Sequence, residues 1–341
     1  MKVLVTGHHG YIGSVVVPTL AAAGHEVVGL DAYLYRGCDL FPGPEPRAEF
    51  TVDVRDVEPS QLEDFDAVVH LAALSNDPLG ALDRDLTLDV NLRGTVRLAR
   101  AAREAGVRRF LFASSCAMYG AAVDELVDES APLRPLTAYA ESKVRAEEAL
   151  VDLADDDFAP VILRNATAYG ISPRLRLDLV LNNLVGWASA TGRVRILSDG
   201  TPWRPVVHVE DIARALLPTL SAPPELVSGE AFNVGADDEN YQVRDLAEIV
   251  AETVPGSVIE YAGSGDPDPR SYRVDFRKLR RAFPELRLEW TALAGAAELH
   301  DAYREVGLGA DAFDGDRYIR LKRLQLLLAR GELRPDLRRA A

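Results

Sequence analysis

The segment Val3-Leu4-Val5-Thr6-Gly7-His8-His9-Gly10-Tyr11-Ile12-Gly13 decides the fold of this chain. Its opening residues are apolar and β-branched, which is typical of a buried strand, and a turn with three glycines follows at once. Apolar residues then recur with helical spacing over residues 12–23, and a second apolar run over residues 26–30 ends at Asp31. Strand, glycine turn, helix and strand together predict a βαβ unit.

The alternation of strands and helices continues downstream. Apolar runs predict strands at residues 66–71, 108–113 and 160–164, and helical patterns fill residues 86–105 and 138–153. This order predicts an α/β protein built on a Rossmann-type, doubly wound parallel sheet. The segments 36–47 and 120–136 are rich in glycine, proline and acidic residues, and we predict loops there.

The pattern changes near residue 171, where shorter helices, proline-containing loops and isolated strands begin. We predict three units along the chain. These are a cofactor-binding Rossmann domain over residues 1–170 to which 205–235 returns, a smaller α+β substrate lobe over 171–204 and 236–310, and a C-terminal helical tail over 311–341. The tail is amphipathic, and we expect it to dock on its own protein.

The composition is that of an ordinary globular protein of 341 residues, 48% of them hydrophobic, with a net charge of −15. This charge argues against nucleic acid as a partner and requires arginines to gather locally around any anionic ligand. No apolar stretch approaches the ~20 residues that span a bilayer, so we expect no membrane role. Cys38 and Cys116 form no disulfide framework, which favours a cytoplasmic setting, and the histidines show no metal-binding pattern.

The glycine turn and the acidic residues after it outline a cofactor site. Glycines at this turn let the backbone approach a pyrophosphate, which the free N–H groups at the start of the helix stabilise. Asp31 is placed to accept hydrogen bonds from the adenosine ribose hydroxyls, and its charge would repel a 2′-phosphate. The sequence therefore favours NAD over NADP. We expect Asp53-Val54 to bracket the adenine amino group, and a solvated turn is the alternative for those two residues.

The stretch Tyr139-Ala-Glu-Ser-Lys143 indicates the chemistry. Its phenol and ammonium lie about one helical turn apart, so both project from one face. A free tyrosine has a pKa of about 10, but an adjacent lysine and a cationic nicotinamide ring should lower the pKa of Tyr139 toward working pH. Ser114-Ser115 closes an apolar run upstream and supplies a hydroxyl. Together these residues predict a hydride-transfer site.

As an ordered set, these residues resemble the extended short-chain dehydrogenase/reductase family, which comprises NAD-dependent nucleotide-sugar epimerases and dehydratases. The resemblance covers roughly residues 1–280. It rests on Thr6-Gly7-x-x-Gly10-x-x-Gly13, Asp31, Asp53-Val54, His70-Leu71-Ala72-Ala73, Asn91-x-x-Gly94-Thr95, Ser114-Ser115-x-x-x-Tyr119-Gly120, Tyr139-x-x-x-Lys143, Leu163-Arg164, Tyr169-Gly170, Arg204 to Val207, and His208-Val209-x-Asp211.

The resemblance implies a role for each matched residue. Ser115, Tyr139 and Lys143 would be the catalytic triad, NAD the cofactor and a nucleotide-diphosphate sugar the substrate. Lys143 would hold the cofactor ribose and lower the pKa of Tyr139. The implied cofactor-binding residues are Gly7, Gly10, Tyr11, Ile12, Gly13, Asp31, Asp53, Val54, Leu71, Ala72, Ala73, Asn91, Ser114, Tyr139 and Lys143. In this family the helices near 86–105 and 138–153 commonly form a dimer interface, so we expect a homodimer.

The two residues after Ser115 separate the possible reactions. Dehydratases of this family carry Asp-Glu there, and enzymes that epimerise carbons next to the keto group place a cysteine at the position of Ala117. This chain has Cys116 and Ala117, and an alanine can move no proton. The resemblance therefore favours a nucleotide-sugar 4-epimerase, which oxidises C4 transiently and returns the hydride to the opposite face. A nucleotide-4-ketosugar reductase, a 4,6-dehydratase and a non-catalytic protein that kept the fold are the alternatives.

The substrate residues are expected in the second half of the chain. Thr167 and the segment from Pro173 to Asp178 are similar to uronate-type 4-epimerases, in which Thr and Arg groups contact diphosphate or sugar carboxylate, but Ile171-Ser172 stand here as an insertion. Guanidinium forks also fit paired diphosphate oxygens. The expected substrate-binding set is Ser115, Thr167, Arg174, Asn182, Asn183, Arg204 and Arg270. The nucleotide base and the oxidation state at C6 of the sugar stay open.

Overall fold

The computed structural model describes residues 1–43, 46, 48–75, 83–261 and 270–340, with the backbone alone for 123–125. The strands are β1 (Lys2–Thr6), β2 (Glu26–Asp31), β3 (Ala48–Thr51), β4 (Ala67–His70), β5 (Arg109–Ser115), β6 (Ala121–Val127), β7 (Ala159–Asn165), β8 (Thr167–Tyr169), β9 (Arg193–Ile196), β10 (Trp203–His208), β11 (Ala231–Val234), β12 (Asn240–Gln242), β13 (Val258–Tyr261) and β14 (Ser271–Val274). The helices are α1 (Gly13–Ala22), α2 (Arg84–Leu88), α3 (Gly94–Glu104), α4 (Ala138–Val151), α5 (Val180–Thr191), α6 (Val209–Ser221), α7 (Pro224–Val227), α8 (Val243–Thr253), α9 (Arg277–Ala282), α10 (Ala292–Glu305) and α11 (Arg320–Ala329). A π-helical segment, Asp89–Arg93, joins α2 to α3.

The main sheet has seven parallel strands in the order β11-β7-β5-β4-β1-β2-β3. One of its inner strands, β1, pairs with β2 on one side and with β4 on the other. Val3, Leu4 and Val5 of this strand are fully buried, as expected where a parallel sheet is covered on both faces. The strand order confirms the predicted Rossmann-type, doubly wound sheet.

Helices cover both faces of this sheet. On one face, α1 and α6 pack against strand residues such as Val3 and Val5. On the other face, α3 and α4 pack against residues such as Leu4 and Val68. Because successive strand residues point to opposite faces, one continuous apolar run supplies both cores.

The chain reverses its winding direction between β1 and β4. Strands β2 and β3 continue toward one edge of the sheet, whereas β5, β7 and β11 continue toward the other. In doubly wound sheets, ligands bind outside the carboxyl ends of the strands at such a reversal. The last residues of β1 and β4 are Thr6 and His70, whose side chains hydrogen-bond at 2.7 Å. The crevice therefore opens next to the glycine turn.

A second body of structure follows β7. Strands β8, β10 and β12 form a three-stranded sheet, and β9 pairs with β13. Helices α5, α8 and α10 surround a separate apolar cluster that includes Leu181, Leu246 and Leu299. Helix α6 and strand β11 come later in the chain than α5, but they pack on the main sheet.

Residues 121–127 form strand β6, which pairs in parallel with β14. The predicted loop over residues 120–136 is therefore wrong for this segment. Pairing with a strand about 150 positions away decides its conformation, because strand formation depends more on cross-strand neighbours than on local composition.

The C-terminal tail packs on the first half of the chain. Helix α11 buries Leu324 and Leu327 in a small apolar cluster with Leu74. Residues 331–340 then fold back through a Leu333–Arg339 bridge, and we call this segment the C-terminal strap. In the part of the chain that the structure describes, no helix is both long and apolar enough to cross a membrane.

Candidate active site

The turn after β1 brings its glycines against the loop after β4. Gly7 has a φ of +71°, in the left-handed region that favours glycine. A Cβ at Gly7 would lie 2.8 Å from the nitrogen and 2.9 Å from the Cα of Ala72. A Cβ at Gly13 would run into the carbonyl oxygen of Gly7. Only a turn without side chains lets the backbone come this close to a neighbouring loop and to a ligand.

A cavity of about 140 Å³ lies over this turn, and we call it the cofactor cavity. Its lining includes eleven of the predicted cofactor-binding residues. These are Gly7, Gly10, Tyr11, Ile12, Gly13, Asp31, Asp53, Val54, Leu71, Ala72 and Ala73. A glycine cradle at the start of a helix supplies free backbone N–H groups, which suit the diphosphate of a dinucleotide.

Two carboxylates line the cofactor cavity and are held in place by the protein. Asp31 accepts hydrogen bonds from the backbone N–H groups of His9 at 3.1 Å and Tyr33 at 2.6 Å, and burial raises the pKa of Asp31. Asp53 is paired with Arg55, whose Nη2 donates to Oδ2 at 2.7 Å. Both side chains are therefore fixed before any ligand arrives, and their contacts with ribose and adenine stay predictions.

Two other predicted cofactor residues have side chains that the protein itself uses. Asn91 is 1% exposed, and its amide bonds the backbone nitrogen and oxygen of Leu74 at 2.8 and 3.1 Å. Asn91 lines neither the cofactor cavity nor the larger cavity beside it, so the structure does not place it with the other predicted cofactor residues, and its cofactor contact stays a prediction. Its π-helical segment instead fixes the loop after β4. The Ser114 hydroxyl donates to Glu147 at 2.5 Å.

Ser115, Tyr139 and Lys143 meet in the larger cavity of about 610 Å³, which we call the substrate cavity. Ser115 ends β5, and the other two residues project from one face of α4, which begins where Thr137 caps it. Lys143 Nζ donates to the carbonyl of Ala113 at 2.7 Å and lies 5.9 Å from the centre of the Tyr139 ring. The structure thus assembles the predicted triad where the two cavities adjoin, since both are lined by Tyr11 and Leu71.

Burial shifts the pKa of both titratable groups of the triad. It raises the pKa of Tyr139, and a hydrogen bond with Ser115 and the charge of Arg176 oppose this rise. Burial also lowers the pKa of Lys143 to about 7, while the charge of Glu147 opposes the fall. The rise at Tyr139 is opposite to the predicted fall, because that prediction depends on the positive charge of a bound nicotinamide ring as well as on Lys143.

Lys143 should therefore make the free energy of unfolding of the cofactor-free protein depend on pH. Its pKa is about 7 in the folded chain and would be about 10.4 in the unfolded chain. Between these values the unfolded state binds more protons, so stability rises with pH. We expect wild type to gain stability relative to Lys143→Met from about pH 7 to pH 10, and the difference to be constant below about pH 6. Urea denaturation of both proteins across this range measures the effect, and parallel curves would contradict it.

A buried ion pair stands behind Lys143. Glu147 lies on the same face of α4, one turn further on, and accepts a hydrogen bond from Arg164 Nη2 at 2.7 Å. The two side chains are only 6% and 8% exposed. Arg164 also donates to the Tyr119 hydroxyl at 3.1 Å. Breaking a buried pair on one side costs roughly 3–5 kcal/mol, so this network fixes α4 to β5 and β7 and holds the face that carries Tyr139 and Lys143 in position.

Four of the other predicted substrate residues line the substrate cavity with the triad, namely Thr167, Asn183, Arg204 and Arg270. Arg204 Nη1 donates to the backbone carbonyl of Arg270 at 2.5 Å, so these two residues form one wall. In a chain of net charge −15, this wall concentrates positive charge where an anionic ligand would lie.

Asn182 and Arg174, the other two predicted substrate residues, do not line that cavity. Asn182 is fully buried, and its amide accepts from the Gly170 N–H at 3.0 Å and donates to the Arg176 carbonyl at 3.0 Å. It fixes the backbone that precedes α5. Arg174 turns the other way, toward the glycine turn, where it contacts the ring of His9. Arg174 and Arg176 lie in a segment without regular secondary structure, so the sequence could not indicate which of the two side chains lines the cavity.

The sequence reasoning missed Arg176, which lines both cavities. Its Nε donates to Asp178 at 2.9 Å, and its Nη1 donates to the Ser75 hydroxyl at 3.0 Å. Arg195 also lines the substrate cavity and stacks on Trp187 at 4.7 Å. No motif distinguishes these arginines from the many on the surface. Among the residues that the structure describes, no group of three or more His, Cys, Asp and Glu is placed to hold a metal ion.

Comparison with known proteins agrees with this geometry. Residues 3–235 match the NAD dependent epimerase/dehydratase family. A UDP-glucose 4-epimerase of Mycolicibacterium smegmatis is 32% identical over 268 residues, which are 74% of this chain and 83% of that protein. A dTDP-D-glucose 4,6-dehydratase of Mus musculus is 29% identical over 268 residues, 74% of each chain. The crystal structure of Thermus thermophilus UDP-glucose 4-epimerase in complex with NAD superposes on this chain with a TM-score of 0.75 and 28% sequence identity. The matched region is 89% of this chain and 99% of that chain.

The family match, the parallel sheet and the glycine cradle agree on the cofactor, which is NAD. The contacts that the glycine turn and Asp31 would make with this cofactor stay predictions. The chain belongs to the NAD-dependent epimerase/dehydratase family and is an enzyme of the extended short-chain dehydrogenase/reductase type.

Proposed function

We propose that this protein is an NAD-dependent nucleotide-sugar 4-epimerase. The observation that carries the proposal is the scarcity of proton carriers in the substrate cavity. Of its described lining residues, the only carboxylate belongs to Asp178, which Arg176 holds in a fork at 2.9 and 3.1 Å. The pKa of Asp178 is lowered by Arg176 against the effect of burial, so this group stays ionised and is a poor acid. Removal of water and epimerisation next to a ketone both require a second proton carrier.

The residues after Ser115 support this choice. Ala117 lines the substrate cavity and has no proton to give. Cys116 is fully buried outside the lining, and its thiol donates to the carbonyl of Arg164. Burial raises the pKa of Cys116, which keeps the thiol protonated and unreactive.

Ser115 and Tyr139 supply the groups that a transient oxidation at C4 of the sugar requires. Tyr139, in its phenolate form, would take the proton from the C4 hydroxyl, and Ser115 would hold the same oxygen by a hydrogen bond. The residues of the cofactor cavity would hold NAD beside the sugar, where its chemistry would be reversible hydride transfer with C4, on either face of the sugar. Tyr139 would then give the proton back, so the proton and the hydride both end on the product and no net oxidation occurs.

The shape and charge of the substrate cavity suit this cycle. Four arginines line it, namely Arg176, Arg195, Arg204 and Arg270, and their charge would favour an anionic nucleotide diphosphate. Its volume of about 610 Å³ lies well within the range of about 300–1,000 Å³ of small-molecule sites, so the tethered sugar has room to rotate.

The test is to incubate the protein, with catalytic NAD, with UDP-glucose and separately with its C4 epimer. We expect each to be converted to the other without net change in NADH absorbance. In deuterated water, the product should carry no solvent deuterium at C3 or C5, because no proton leaves carbon in a 4-epimerisation. Proton NMR of the products measures both.

Three outcomes would contradict the proposal. Stoichiometric NADH consumption with a 4-ketosugar would indicate a reductase, and deuterium at C5 with loss of water would indicate a dehydratase. No reaction with any nucleotide sugar would indicate a binding protein. The proposal also includes a homodimer formed through α3 and α4 and a cytoplasmic location, as the family resemblance and the unpaired Cys38 and Cys116 suggest.

A further inference from the structure

A buried arginine from the C-terminal tail lines the cofactor cavity. Arg320, the first residue of α11, is 2% exposed. Its guanidinium stacks on the ring of Tyr35 at 4.4 Å, and its Nη2 donates to the carbonyl of Arg174 at 2.8 Å. These contacts hold the side chain in one orientation, although it comes from a part of the chain about 300 residues away from the glycine turn.

The other end of the same guanidinium lacks a partner. Among the described residues, no acceptor lies within hydrogen-bond reach of Arg320 Nη1, although this atom is buried. The hydroxyl of Tyr35, which also lines the cofactor cavity, is buried without a partner as well. A buried donor left without an acceptor destabilises the folded chain, and a charged one does so more strongly. Tyr35 and Arg320 both line the cofactor cavity, and a cationic side chain in its wall favours an anionic ligand.

The C-terminal strap continues along the same cavity. Leu337 lines it and is 2% exposed. Arg55, which is paired with Asp53, also donates to the backbone carbonyl of Asp336 at 2.9 Å. The strap thus forms part of the wall of the cofactor cavity.

Two arginines of the strap attach it to the segments that follow β2 and β3. Arg338 makes two hydrogen bonds to the carboxylate of Asp56, at 2.8 and 3.1 Å, and Arg339 Nη2 donates to the carbonyl of Tyr33 at 2.7 Å. Asp56 follows the predicted adenine residues Asp53 and Val54, and Tyr33 follows Asp31. The strap is therefore attached on both sides of the expected adenosine position.

We propose that the C-terminal tail completes the NAD site: Arg320 donates to the diphosphate and ribose segment of the cofactor, and the strap closes over its adenosine end. Leu337, Arg338 and Arg339 hold the strap against this end of the cavity, so the strap would have to open for NAD to enter or leave. NAD would consequently exchange slowly. This inference rests on the NAD site alone and holds whichever reaction the enzyme catalyses.

The first test compares Arg320→Gln with Arg323→Gln. Arg323 is on the same helix, bonds a loop carbonyl and also carries a buried Nε without a partner among the described residues, but it does not line the cofactor cavity. After removal of bound cofactor, calorimetry should show that Arg320→Gln binds both NAD and ADP-ribose about 10–100-fold more weakly, whereas Arg323→Gln stays within about twofold of wild type. Undiminished binding by Arg320→Gln, or an equal loss in both variants, would overturn the proposed contact.

The second test needs no substitution in α11 and covers the case in which Arg320→Gln does not fold. In the wild-type protein, NAD should slow tryptic cleavage at Arg338 and Arg339 of the strap. Removal of residues 331–341 should speed the release of bound NAD, measured by displacement with a fluorescent analogue, at least about tenfold, since the covering segment no longer has to open. Cleavage that does not respond to NAD, or release at the wild-type rate, would refute closure by the strap.

Discussion

Replacing Tyr139 with phenylalanine should abolish turnover and leave NAD binding intact. The substitution removes the one hydroxyl that we expect to exchange a proton with the C4 oxygen, and the remaining ring still fills the same buried position near Lys143. Positioned acid–base groups contribute about 10²–10⁴-fold to rate, and kcat should fall by at least that factor. Steady-state kinetics on the substrate found in the epimerase assay and calorimetric titration with NAD measure the two halves of the prediction.

Tyr169→Phe is the matched control for this substitution. Tyr169 is fully buried, and in the described part of the chain its hydroxyl has no hydrogen-bond partner. It does not line the substrate cavity, so the loss of this hydroxyl should leave kcat within about twofold, as for most changes away from a site. Normal turnover by Tyr139→Phe would refute the catalytic role of Tyr139. Equal losses in both variants would show that the effect arises from packing.

Replacing Gly7 with alanine should destabilise the protein and prevent NAD binding. Any L-residue at a φ of +71° costs about 1–2 kcal/mol. In addition, the new Cβ would lie 2.8 Å from the backbone nitrogen of Ala72, and a backbone atom cannot turn aside as a side chain can. The ends of β1 and β4 would have to separate, at a cost of about 1–3 kcal/mol more, and the cradle for the diphosphate would widen. Urea denaturation and NAD titration measure both effects.

Gly24→Ala is the control that separates the backbone strain of a positive φ from the steric clash of a new Cβ. Gly24 also has a positive φ, of +88°, but a Cβ there would meet nothing within 4 Å. We expect backbone strain alone to lower the free energy of unfolding of Gly24→Ala by about 1–2 kcal/mol, and we expect this variant to bind NAD normally. If Gly7→Ala were no worse than Gly24→Ala, the close approach of the glycine turn to Ala72 would be of no energetic consequence.

The sequence predicted the relative positions of candidate site residues best where those residues lie close together in the chain. The glycine turn lies within one βαβ unit, and Tyr139 and Lys143 lie one turn apart on one helix, so periodicity alone predicts their geometry. Strand β5 delivers Ser115 to the same place because parallel strands end at one edge of the sheet. The structure brings these residues together as predicted.

The substrate side was predicted less well, because it is built from irregular segments. Arg174, Arg176 and Asn182 lie within nine residues, and only tertiary contacts decide that Arg176 faces the cavity and Asn182 supports the backbone. Strand β6 was missed for a similar reason, since its partner β14 lies far away in sequence. The position of Arg320 was beyond prediction, as its surroundings come from Tyr35 and Arg174 rather than from its own helix.

The position of β11 at the outer edge of the main sheet has a consequence for biosynthesis. Until residues 231–234 have left the ribosome, the outer side of β7 presents unpaired N–H and C=O groups, the kind of surface on which nascent chains aggregate. By then the polypeptide that forms α5, β9 and β10 has already emerged. The main sheet therefore cannot be completed before the residues of α5, β9 and β10 have been translated. A fragment that ends at residue 170 would lack β11, and we expect it to aggregate rather than to bind a nucleotide.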